Sequence, residues 1–357
     1  MRRKTERVIR MPKHTITDLH QMQSLPLSAK IQMTARRITE WVDRFGEDGV
    51  YVSFSGGKDS TVLLDIARKL YPDLKAMFVD VPTQYVELRE FVKSFDNVDI
   101  VKPKISFMEV CEKYGFPLIS KEVSECVSHS KKFLRGGCYA SFYRKLTGTG
   151  EYADGQEKNR YTCKKYEFLL DAPFDVSNKC CNVMKKEPAH RYEKETGRKA
   201  ILGQMADESR LRTQQWLKNG CNGFDMKEPT SNPMSFWTEQ DVLLYIYENK
   251  LPICSVYGDV VVDISARKQC ENQMSLSDYG IFDLERPLLK TTGCNRTGCV
   301  MCGFGCHLEK PEDARFVKLK ETHPGMYKLL DIIKNNGITY RQAIDWINEH
   351  GNMNIKY

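Results

Sequence analysis

The order of apolar and polar positions along the chain predicts a regular alternation of strands and helices. Compact apolar runs at residues 49–55, 75–81, 98–103 and 199–204 predict β-strands. Amphipathic stretches predict helices over residues 26–46, from Asp59 or Ser60 onward, and over 84–95, 106–116 and 238–250. Strands and helices that alternate at this pitch favour an α/β fold with a doubly wound, mostly parallel sheet.

From about residue 255 the pattern changes to short β-like pieces such as YGDVVVDI, a cysteine-rich stretch and two further helices, the second over TYRQAIDWINEHG. The sequence therefore predicts three parts. A basic N-terminal arm and helix occupy 1–45, and an α/β nucleotide-binding catalytic domain occupies 46–255. A Cys-rich, partly helical metal-binding extension occupies 256–357.

The composition is that of an ordinary globular protein, with 41% hydrophobic and 28% charged residues among 357. No apolar run approaches the roughly 20 residues that span a bilayer. The basic N-terminus has no apolar core of the kind that secretory signals carry. We therefore expect a cytoplasmic protein without a membrane partner, and we expect a homo-oligomer.

A mild excess of positive charge, +7 in all, is concentrated at the N-terminus. The basic residues there are Arg2, Arg3, Lys4, Arg7, Arg10 and Lys13, against the single acidic Glu6. Such an arm can bind nucleic acid phosphates without reading their sequence. It can equally be a disordered tail, and the overall excess alone favours nothing beyond solubility.

The stretch SFSGGKDS, between a predicted strand and a predicted helix, predicts a phosphate-binding loop. It lacks the Walker pattern, but its glycines allow backbone N–H groups to face an anion at a helix N-terminus. A lysine adds a cation, two serines add hydroxyls, and the aspartate is suited to backbone N–H groups or Mg²⁺. The alternative is a plain Gly-Gly turn with a helix cap. The proposed site residues are Ser55, Gly56, Gly57, Lys58, Asp59 and Ser60.

SFSGGKDS resembles the PP-loop of the adenine-nucleotide pyrophosphatase family, and the longer pattern resembles its phosphoadenylylsulfate (PAPS) and adenylylsulfate (APS) reductase branch. The matching segments are FVD at 78–80 followed by YVELREFV, CCNVMKKEP at 180–188, GQMADESRLR at 203–212 and NPMSFWTEQDVLLYI. The resemblance covers roughly residues 45–305. It implies that a nucleotide also contacts Asp80, Gly203, Glu208, Ser209 and Arg212.

Two departures from the family pattern bear on function. Met205 stands where the family usually has an arginine, although Arg212 is retained. Reductases of this branch carry a Glu-Cys-Gly-Leu-His tail whose thiolate attacks the substrate sulfur. This sequence ends HGNMNIKY and has no cysteine after Cys306, so we expect that thiol to be absent from its usual place.

Thirteen cysteines, some of them clustered, indicate metal or redox chemistry rather than disulfides in a reducing compartment. Cys294, Cys299, Cys302 and Cys306 alone could hold Zn²⁺ or a [4Fe–4S] cluster. The resemblance implies a different [4Fe–4S] set, Cys180, Cys181, Cys299 and Cys302, which we prefer. Adjacent ligands then require a bend in the backbone. Cys294 or Cys306 would carry sulfur or complete the site, and Cys163 is another possible carrier.

The function that we expect is sulfur transfer driven by ATP or an adenylylsulfate-type nucleotide with Mg²⁺. An acceptor is adenylated with release of pyrophosphate and is then thiolated. A nucleic acid is a candidate acceptor, and a protein such as a cysteine desulfurase is a candidate sulfur donor. The alternatives are an APS/PAPS reductase whose nucleophile has moved, for instance to Cys306 beside His307, and a non-catalytic nucleotide-binding subunit.

Overall fold

The structure is a computed structural model that describes residues 12–149, 162–263, 287–311 and 314–357. Most of the predicted basic arm, residues 1–11, lies outside the described residues. Within the described ranges, no helix has both the length and the apolar character that crossing a membrane requires.

The described strands, in chain order, are β1 Val50–Ser53, β2 Ala76–Val79, β3 Val98–Val101, β4 Leu118–Ile119, β5 Lys199–Leu202, β6 Asn222–Gly223, β7 Thr230–Ser231, β8 Val260–Val262, β9 Leu289–Thr291, β10 Gly303–Phe304, β11 Lys334–Asn335 and β12 Ile338–Thr339. The described α-helices are α1 Ile16–Gln23, α2 Leu27–Phe45, α3 Lys58–Leu70, α4 Val86–Lys93, α5 Phe107–Tyr114, α6 Lys121–Leu134, α7 Ala140–Thr147, α8 Lys179–Cys181, α9 Glu187–Thr196, α10 Arg210–Asn219, α11 Glu239–Asn249, α12 Arg315–Thr322, α13 Pro324–Tyr327, α14 Leu329–Ile332 and α15 Tyr340–His350.

The elements predicted from periodicity are confirmed, with ends that differ by a few residues. Their boundaries follow from local chemistry. Ser106 and Thr238 each begin a helix with a capping box, in which the side chain and the third helical residue satisfy each other's backbone N–H groups. The predicted helix over TYRQAIDWINEHG is α15, which Thr339 caps in the same way. Helix α3 begins at Lys58, one residue before the predicted start.

The chain forms two compact units, each built from several segments. Unit 1 comprises Met1–Val79, Tyr85–Val101 and Arg191–Thr297, and unit 2 comprises Asp80–Gln84, Lys102–His190 and Gly298–Tyr357. The three-part division drawn from the sequence remains a prediction.

Unit 1 contains the predicted sheet, with six strands in the order β3-β2-β1-β5-β7-β6. All neighbours are parallel except β6 and β7, which are antiparallel. The order reverses beside β1, because β2 and β3 follow on one side and β5 lies on the other. Ligands of such sheets bind at the carboxyl ends of the strands at this reversal. The loops after β1 and β5 are therefore where a nucleotide is expected.

The core of unit 1 is apolar and continuous from the sheet to α2, α3 and α11. Trp41, Val52, Leu63 and Trp237 are each 1% exposed or less and belong to this core. The core also contains a buried ion pair, in which Lys30 Nζ lies 2.6 Å from a carboxylate oxygen of Asp241. A buried charge of this kind is tolerated only when it is paired.

Unit 2 is mostly helical, with short paired strands. Strand β4 pairs in parallel with β10, and β11 pairs with β12 as a hairpin. Phe116 packs edge-on against Tyr340, which in turn packs against Phe316. The buried Asn335 side chain accepts from Asp175 N and donates to backbone carbonyls at the end of α5.

Candidate functional site

The predicted phosphate loop of unit 1 has the backbone geometry of an anion-binding turn. Gly56 has a φ of +73°, which residues with a side chain rarely adopt. A Cβ there would also lie 3.0 Å from Val92 Cγ2 and 3.1 Å from Leu88 Cδ2. Gly57 is the N-cap of α3, so the first N–H groups of this 13-residue helix point toward the loop.

The two serines of the loop hold its shape by hydrogen bonds to each other. Ser60 Oγ accepts from Ser55 N at 3.1 Å and donates to Gly57 O at 2.9 Å. The two hydroxyls lie 3.0 Å apart, and Ser55 Oγ also accepts from Gly57 N at 3.3 Å. The loop is therefore preorganised by its own side chains.

Lys58 is buried, and all of its described partners are acceptors of unit 1. Its backbone N donates to the Tyr257 hydroxyl at 3.2 Å, and its Nζ donates to Asn295 O at 3.0 Å. The ammonium also pairs with a carboxylate oxygen of Glu239 at 3.1 Å. A phosphate at this loop would have to replace these acceptors.

Cationic side chains gather around Asp59, the second residue of α3. The pKa of Asp59 is raised on balance, because burial and the charge of Glu239 outweigh the opposing charges of Lys58, Arg296 and Arg212. Burial and the neighbouring Arg296 lower the pKa of the Arg212 guanidinium. Asp59 Oδ1 is buried and has no hydrogen-bond partner among the described residues. The Lys58 ammonium lies 3.7 Å from this oxygen as an ion pair, so a metal ion that bound Asp59 would compete with Lys58 for it.

The loop after β5 lies against the phosphate loop. A Cβ on Gly203 would lie 3.2 Å from Asp59 O, so only glycine allows this approach without a shift. Glu208 accepts from Met205 N at 3.0 Å and forms an ion pair with Arg212. Ser209 is the N-cap of α10.

Met205, which replaces the arginine usual in the family pattern, is part of the apolar core and is 3% exposed. It supplies no polar group to an anion. Of the two arginines in this segment, Arg210 and Arg212, it is Arg212 whose charge acts on Asp59. Asp80, the residue directly after β2 in the chain, is assigned to unit 2 and is buried. A role for Asp80 in nucleotide binding stays a prediction.

Several residues near the loop were missed by reasoning from the sequence. Tyr257 forms a 2.7 Å hydrogen bond with the Thr297 hydroxyl, and burial raises the pKa of this tyrosine to about 12. Asn295 and Arg296 belong to the stretch TGCNRTGC, whose cysteines alone had indicated a function. The run of polar residues between those cysteines was the available signal.

The adjacent cysteines of unit 2 lie where the backbone departs from a regular α-helix. Cys180 and Cys181 end α8, and a π-helical turn, Asn182–Lys186, follows directly. Such turns often occur at functional sites. The bend expected at the two cysteines stays a prediction, since Cys181 itself has helical backbone angles. The two thiols form a mutual hydrogen bond. That bond lowers the pKa of Cys181 to about 6, with help from Lys121 and Lys185, and it raises the pKa of Cys180.

The predicted CxxC pair forms a tight turn in the same unit. Cys302 N donates to Cys299 O at 3.0 Å, and Tyr340 donates to Met301 O at 3.1 Å. A Cβ on Gly303 would lie 2.9 Å from Pro117 O, so this turn approaches the neighbouring strand closely.

The four thiols of the preferred set belong to one part of unit 2. The charges of Cys299 and Cys302 both act on Cys180, and those of Cys299 and Cys181 act on Cys302. All four are free thiols. In the described ranges, however, no three His, Cys, Asp or Glu side chains lie close enough to bind one metal ion. The donor chemistry fits an iron–sulfur cluster, and binding would require the thiols to move closer together.

The two remaining candidates differ in position. Cys294 belongs to unit 1, where its Sγ lies 3.8 Å from the Tyr85 hydroxyl. Cys306 belongs to unit 2 and lies 3.5 Å from Cys302 O. Burial raises the pKa of Cys306 to about 12, which disfavours the thiolate that a nucleophile needs. His307 lies 3.4 Å from the Tyr166 hydroxyl.

Comparison with known proteins gives a match to one family over most of the chain. Residues 49–135 and 142–304 match the model of the phosphoadenosine phosphosulfate reductase domain. An uncharacterized protein of Methanocaldococcus jannaschii is 24% identical over 294 residues, which are 81% of this chain and 48% of that protein. An adenosine 5'-phosphosulfate reductase of Staphylococcus haemolyticus is 26% identical over 98 residues, 26% of this chain and 40% of that enzyme. The chain thus spans less than half the length of either relative.

Among solved structures, a phosphoadenylyl-sulfate reductase from Candida auris in complex with phosphate is 18% identical. The match covers 69% of this chain and 92% of that one, with a TM-score of 0.35. Such a loose superposition does not support a residue-by-residue comparison.

Proposed function

This chain belongs to the phosphoadenosine phosphosulfate reductase family, and from that premise we propose that it binds ATP or a related adenine nucleotide and uses it in sulfur transfer. The observation that supports this best is the gathering of Lys58, Arg212 and Arg296 around Asp59 at the N-terminus of α3. Three cations and a helix N-terminus would form an anion site once the phosphates replace Glu239 and Glu208 as partners of Lys58 and Arg212.

In this proposal the phosphates contact the N–H groups of the loop and exchange partners with Lys58. The hydroxyls of Ser55 and Ser60 orient the loop, and Gly203 permits the close approach of the loop after β5. Glu208 holds Arg212 in position, and Ser209 caps the helix that carries it. The protein's contribution is the placement of charges before the reaction rather than a covalent step.

Mg²⁺ fits the same loop. Magnesium ions in nucleotide sites are usually held by one or two carboxylates together with substrate phosphates and water. Asp59 Oδ1, which is buried without a hydrogen bond, is the oxygen that would hold the ion. When bound, the ion would neutralise charge on the phosphates.

Four thiols of unit 2, Cys180, Cys181, Cys299 and Cys302, would hold a [4Fe–4S] cluster, with Zn²⁺ as the alternative metal. A cluster of this kind would supply a site for sulfur or for electrons. The lysines beside Cys181 would offset the negative charge of bound thiolates.

The reaction that we propose has two stages. An oxygen of the acceptor attacks the α-phosphate of ATP and pyrophosphate leaves, after which a sulfur nucleophile displaces AMP from the adenylated acceptor. A nucleic acid is the proposed acceptor, and a persulfide-carrying protein such as a cysteine desulfurase is the proposed donor. The similarity to an adenosine 5'-phosphosulfate reductase favours a second candidate, reduction of a sulfonucleotide to sulfite and AMP. The buried Cys306 thiol is a poor nucleophile for that reaction.

The decisive experiment compares the full chain with its Lys58→Ala variant after anaerobic purification. Pyrophosphate release from ATP and sulfite release from adenylylsulfate with a thiol reductant are measured in parallel. We expect the active reaction to fall by about 10²–10³-fold, the loss typical of removing one preorganised charge donor.

Lys218→Ala, which removes an exposed lysine of α10, is the matched control and should keep full activity. If the Lys58→Ala variant is as active as the unmodified chain, this would contradict the proposal that the loop at residues 55–60 binds the phosphates of the nucleotide. Nucleotide binding without either product, with acceptor and donor present, would instead favour a non-catalytic subunit.

A further inference from the structure

Two cysteines outside the proposed metal set lie side by side in unit 2. Cys126 is on α6, and Cys163 directly precedes the 3₁₀ helix Lys164–Leu170. Their side chains hydrogen-bond each other. Both are free thiols, 1% and 6% exposed. The proposed nucleotide chemistry uses neither of them.

Three elements hold this pair in place. Cys163 N donates to Lys145 O on α7 at 2.9 Å. Cys126 Sγ lies 3.1 Å from Phe142 O, also on α7, and can donate to it. The Lys145 ammonium forms an ion pair with Glu122 on α6. The thiols, one cation and one carboxylate therefore form a fixed group at the junction of α6, α7 and the 3₁₀ helix.

The two thiols differ in their acidity. The single S–H proton of Cys126 can be donated either to Phe142 O or to the Cys163 sulfur. Donation to Cys163 lowers the pKa of Cys163 to about 7, and the Lys145 charge adds to this shift, while burial and the Glu122 charge oppose it. The same bond raises the pKa of Cys126. One sulfur is thus disposed to be the thiolate, and its neighbour remains a protonated thiol. In a two-step oxidation, a thiolate first attacks the oxidant, and a second, protonated thiol then forms the disulfide. The two steps require this difference in acidity between the two sulfurs.

We propose that Cys126 and Cys163 form a redox-active dithiol whose substrate is a hydroperoxide. The Cys163 thiolate attacks the peroxide O–O bond, forms a sulfenic acid and releases water or an alcohol. The Cys126 thiol then attacks the sulfenic sulfur, a disulfide forms and a second water leaves. The two sulfurs lose two electrons in total, and the peroxide gains them. A low-molecular-weight thiol restores the dithiol by exchange.

The expected advantage of Cys163 can be estimated. At pH 7 a thiol of pKa about 7 is half ionised, whereas an ordinary one of pKa about 8.5 is roughly 3% ionised. The weaker nucleophilicity of the more acidic thiolate offsets part of this gain. Cys163 should therefore react roughly three- to fourfold faster than an ordinary thiol of equal exposure.

The test uses the full chain, purified anaerobically and treated with hydrogen peroxide at pH 7. Free thiols are then alkylated and peptides are mapped by mass spectrometry. We expect a Cys126–Cys163 disulfide that dithiothreitol reverses. Cys111 is the internal control in the same unit, because burial alone raises the pKa of this thiol. It should stay reduced.

Two variants separate this chemistry from a structural role. In Cys126→Ala, Cys163 should be trapped as a sulfenic acid by dimedone, and the pH midpoint of its alkylation should rise from about 7 toward the ordinary value. Lys145→Gln should also raise this midpoint and slow oxidation several-fold, whereas Lys132→Gln, an exposed lysine of α6, should change neither. The groups that face Cys163 and enter this profile are Cys126, Glu122, Lys145 and Tyr166.

The proposal is overturned if peroxide leaves both thiols reduced while the fold is intact, or if Cys163 pairs with another cysteine. It is also overturned if Cys163 alkylates with an ordinary midpoint of about pH 8.5. If Cys126→Ala does not fold, the peptide map of the unmodified chain and the pH profile of alkylation in Lys145→Gln still test the proposal.

Discussion

In unit 1 the atoms that would contact a phosphate are mostly backbone atoms, whereas in unit 2 the functional atoms are side-chain sulfurs. The phosphate loop is fixed by a strand, a helix N-terminus and a glycine at φ +73°. The four thiols of the proposed metal set belong to short, irregular pieces of chain, and in the described ranges no three potential ligands are at metal-binding distance. A site built from backbone can form without its ligand, while a thiolate site commonly completes its geometry when it binds metal.

The two units also differ in the electrostatics of their sites. Unit 1 places Lys58, Arg212 and Arg296 near Asp59, and two of these cations are paired with Glu239 and Glu208, partners that an anionic ligand would replace. In unit 2 the mutual hydrogen bond of Cys180 and Cys181 divides two neighbouring thiols into an acidic and a protonated one. Metal binding would remove that division, because both sulfurs would ligate as thiolates.

The largest expected effect tests the thiol site. Anaerobically purified protein should be brown and contain about four iron per chain if one [4Fe–4S] site is full. Cys299→Ser should lose most of this iron and the visible absorbance, since both candidate ligand sets include Cys299. Iron and sulfide analysis together with the absorption spectrum are the measurements.

Two further substitutions distinguish the ligand sets. Cys180→Ser should lose iron only if the family set is right, and Cys294→Ser only if the four clustered cysteines bind the metal. Cys138→Ser, which removes an exposed thiol of unit 2, is the matched control. Stoichiometric zinc without iron would exclude the cluster.

A smaller effect is expected from Gly56→Ala in the phosphate loop. The new Cβ would be held at a positive φ and crowded by Val92 and Leu88, which should cost about 1–2 kcal/mol of stability. Nucleotide affinity should fall by about tenfold or more, because the loop amides would shift.

Gly46→Ala is the matched control for that change. Gly46 has a φ of +78° but nothing within 4 Å of its Cβ position, and it precedes Ser55, the first residue of the loop, by nine residues. The Gly46→Ala variant should therefore lose stability through backbone strain alone and keep its nucleotide affinity. Thermal unfolding and calorimetric titration measure both quantities. Equal losses of affinity in the two variants would show that the loop conformation has no particular part in binding.

The same contrast explains which parts of the fold and of the candidate sites could be predicted from the sequence. In unit 1, β1, β2 and β5 are largely buried apolar runs, and helices such as α11 are capped locally, so periodicity and caps predicted them. The phosphate loop was predicted for the same reason, because its chemistry lies within six consecutive residues. The short polar strands β6 and β7 were not predicted. The helices of unit 2 over 121–134 and 140–147 were not predicted.

The parts that could not be predicted depend on contacts distant in sequence. Tyr257 and Asn295 bond to Lys58 from about 200 and 240 positions further along the chain. Met205 is buried in a core that only the folded chain assembles. The pairing of Cys126 with Cys163 likewise requires α6 and the 3₁₀ helix to meet. No spacing rule contains that information.

The smallest expected effect concerns the acceptors that contact Lys58. Glu239 Oε1 lies 3.1 Å from the Lys58 ammonium, and its side chain is 42% exposed. A nucleotide phosphate would compete with this carboxylate for the same cation and would be repelled by its charge. A partly exposed pair of this kind is worth about 0.2–1 kcal/mol, so Glu239→Gln should tighten nucleotide binding by roughly 1.5- to 5-fold.

The matched control is Glu248→Gln, an exposed glutamate near the end of the same helix α11, which should leave affinity unchanged. Because the effect is electrostatic, the gain in the Glu239 variant should shrink as salt is raised, since exposed charges are screened. Calorimetric titration with ATP at two salt concentrations measures both. Weaker binding in the Glu239 variant would show that this carboxylate supports the nucleotide, for example by holding Lys58 in position. The anion site would then consist of the cations together with a carboxylate that positions them.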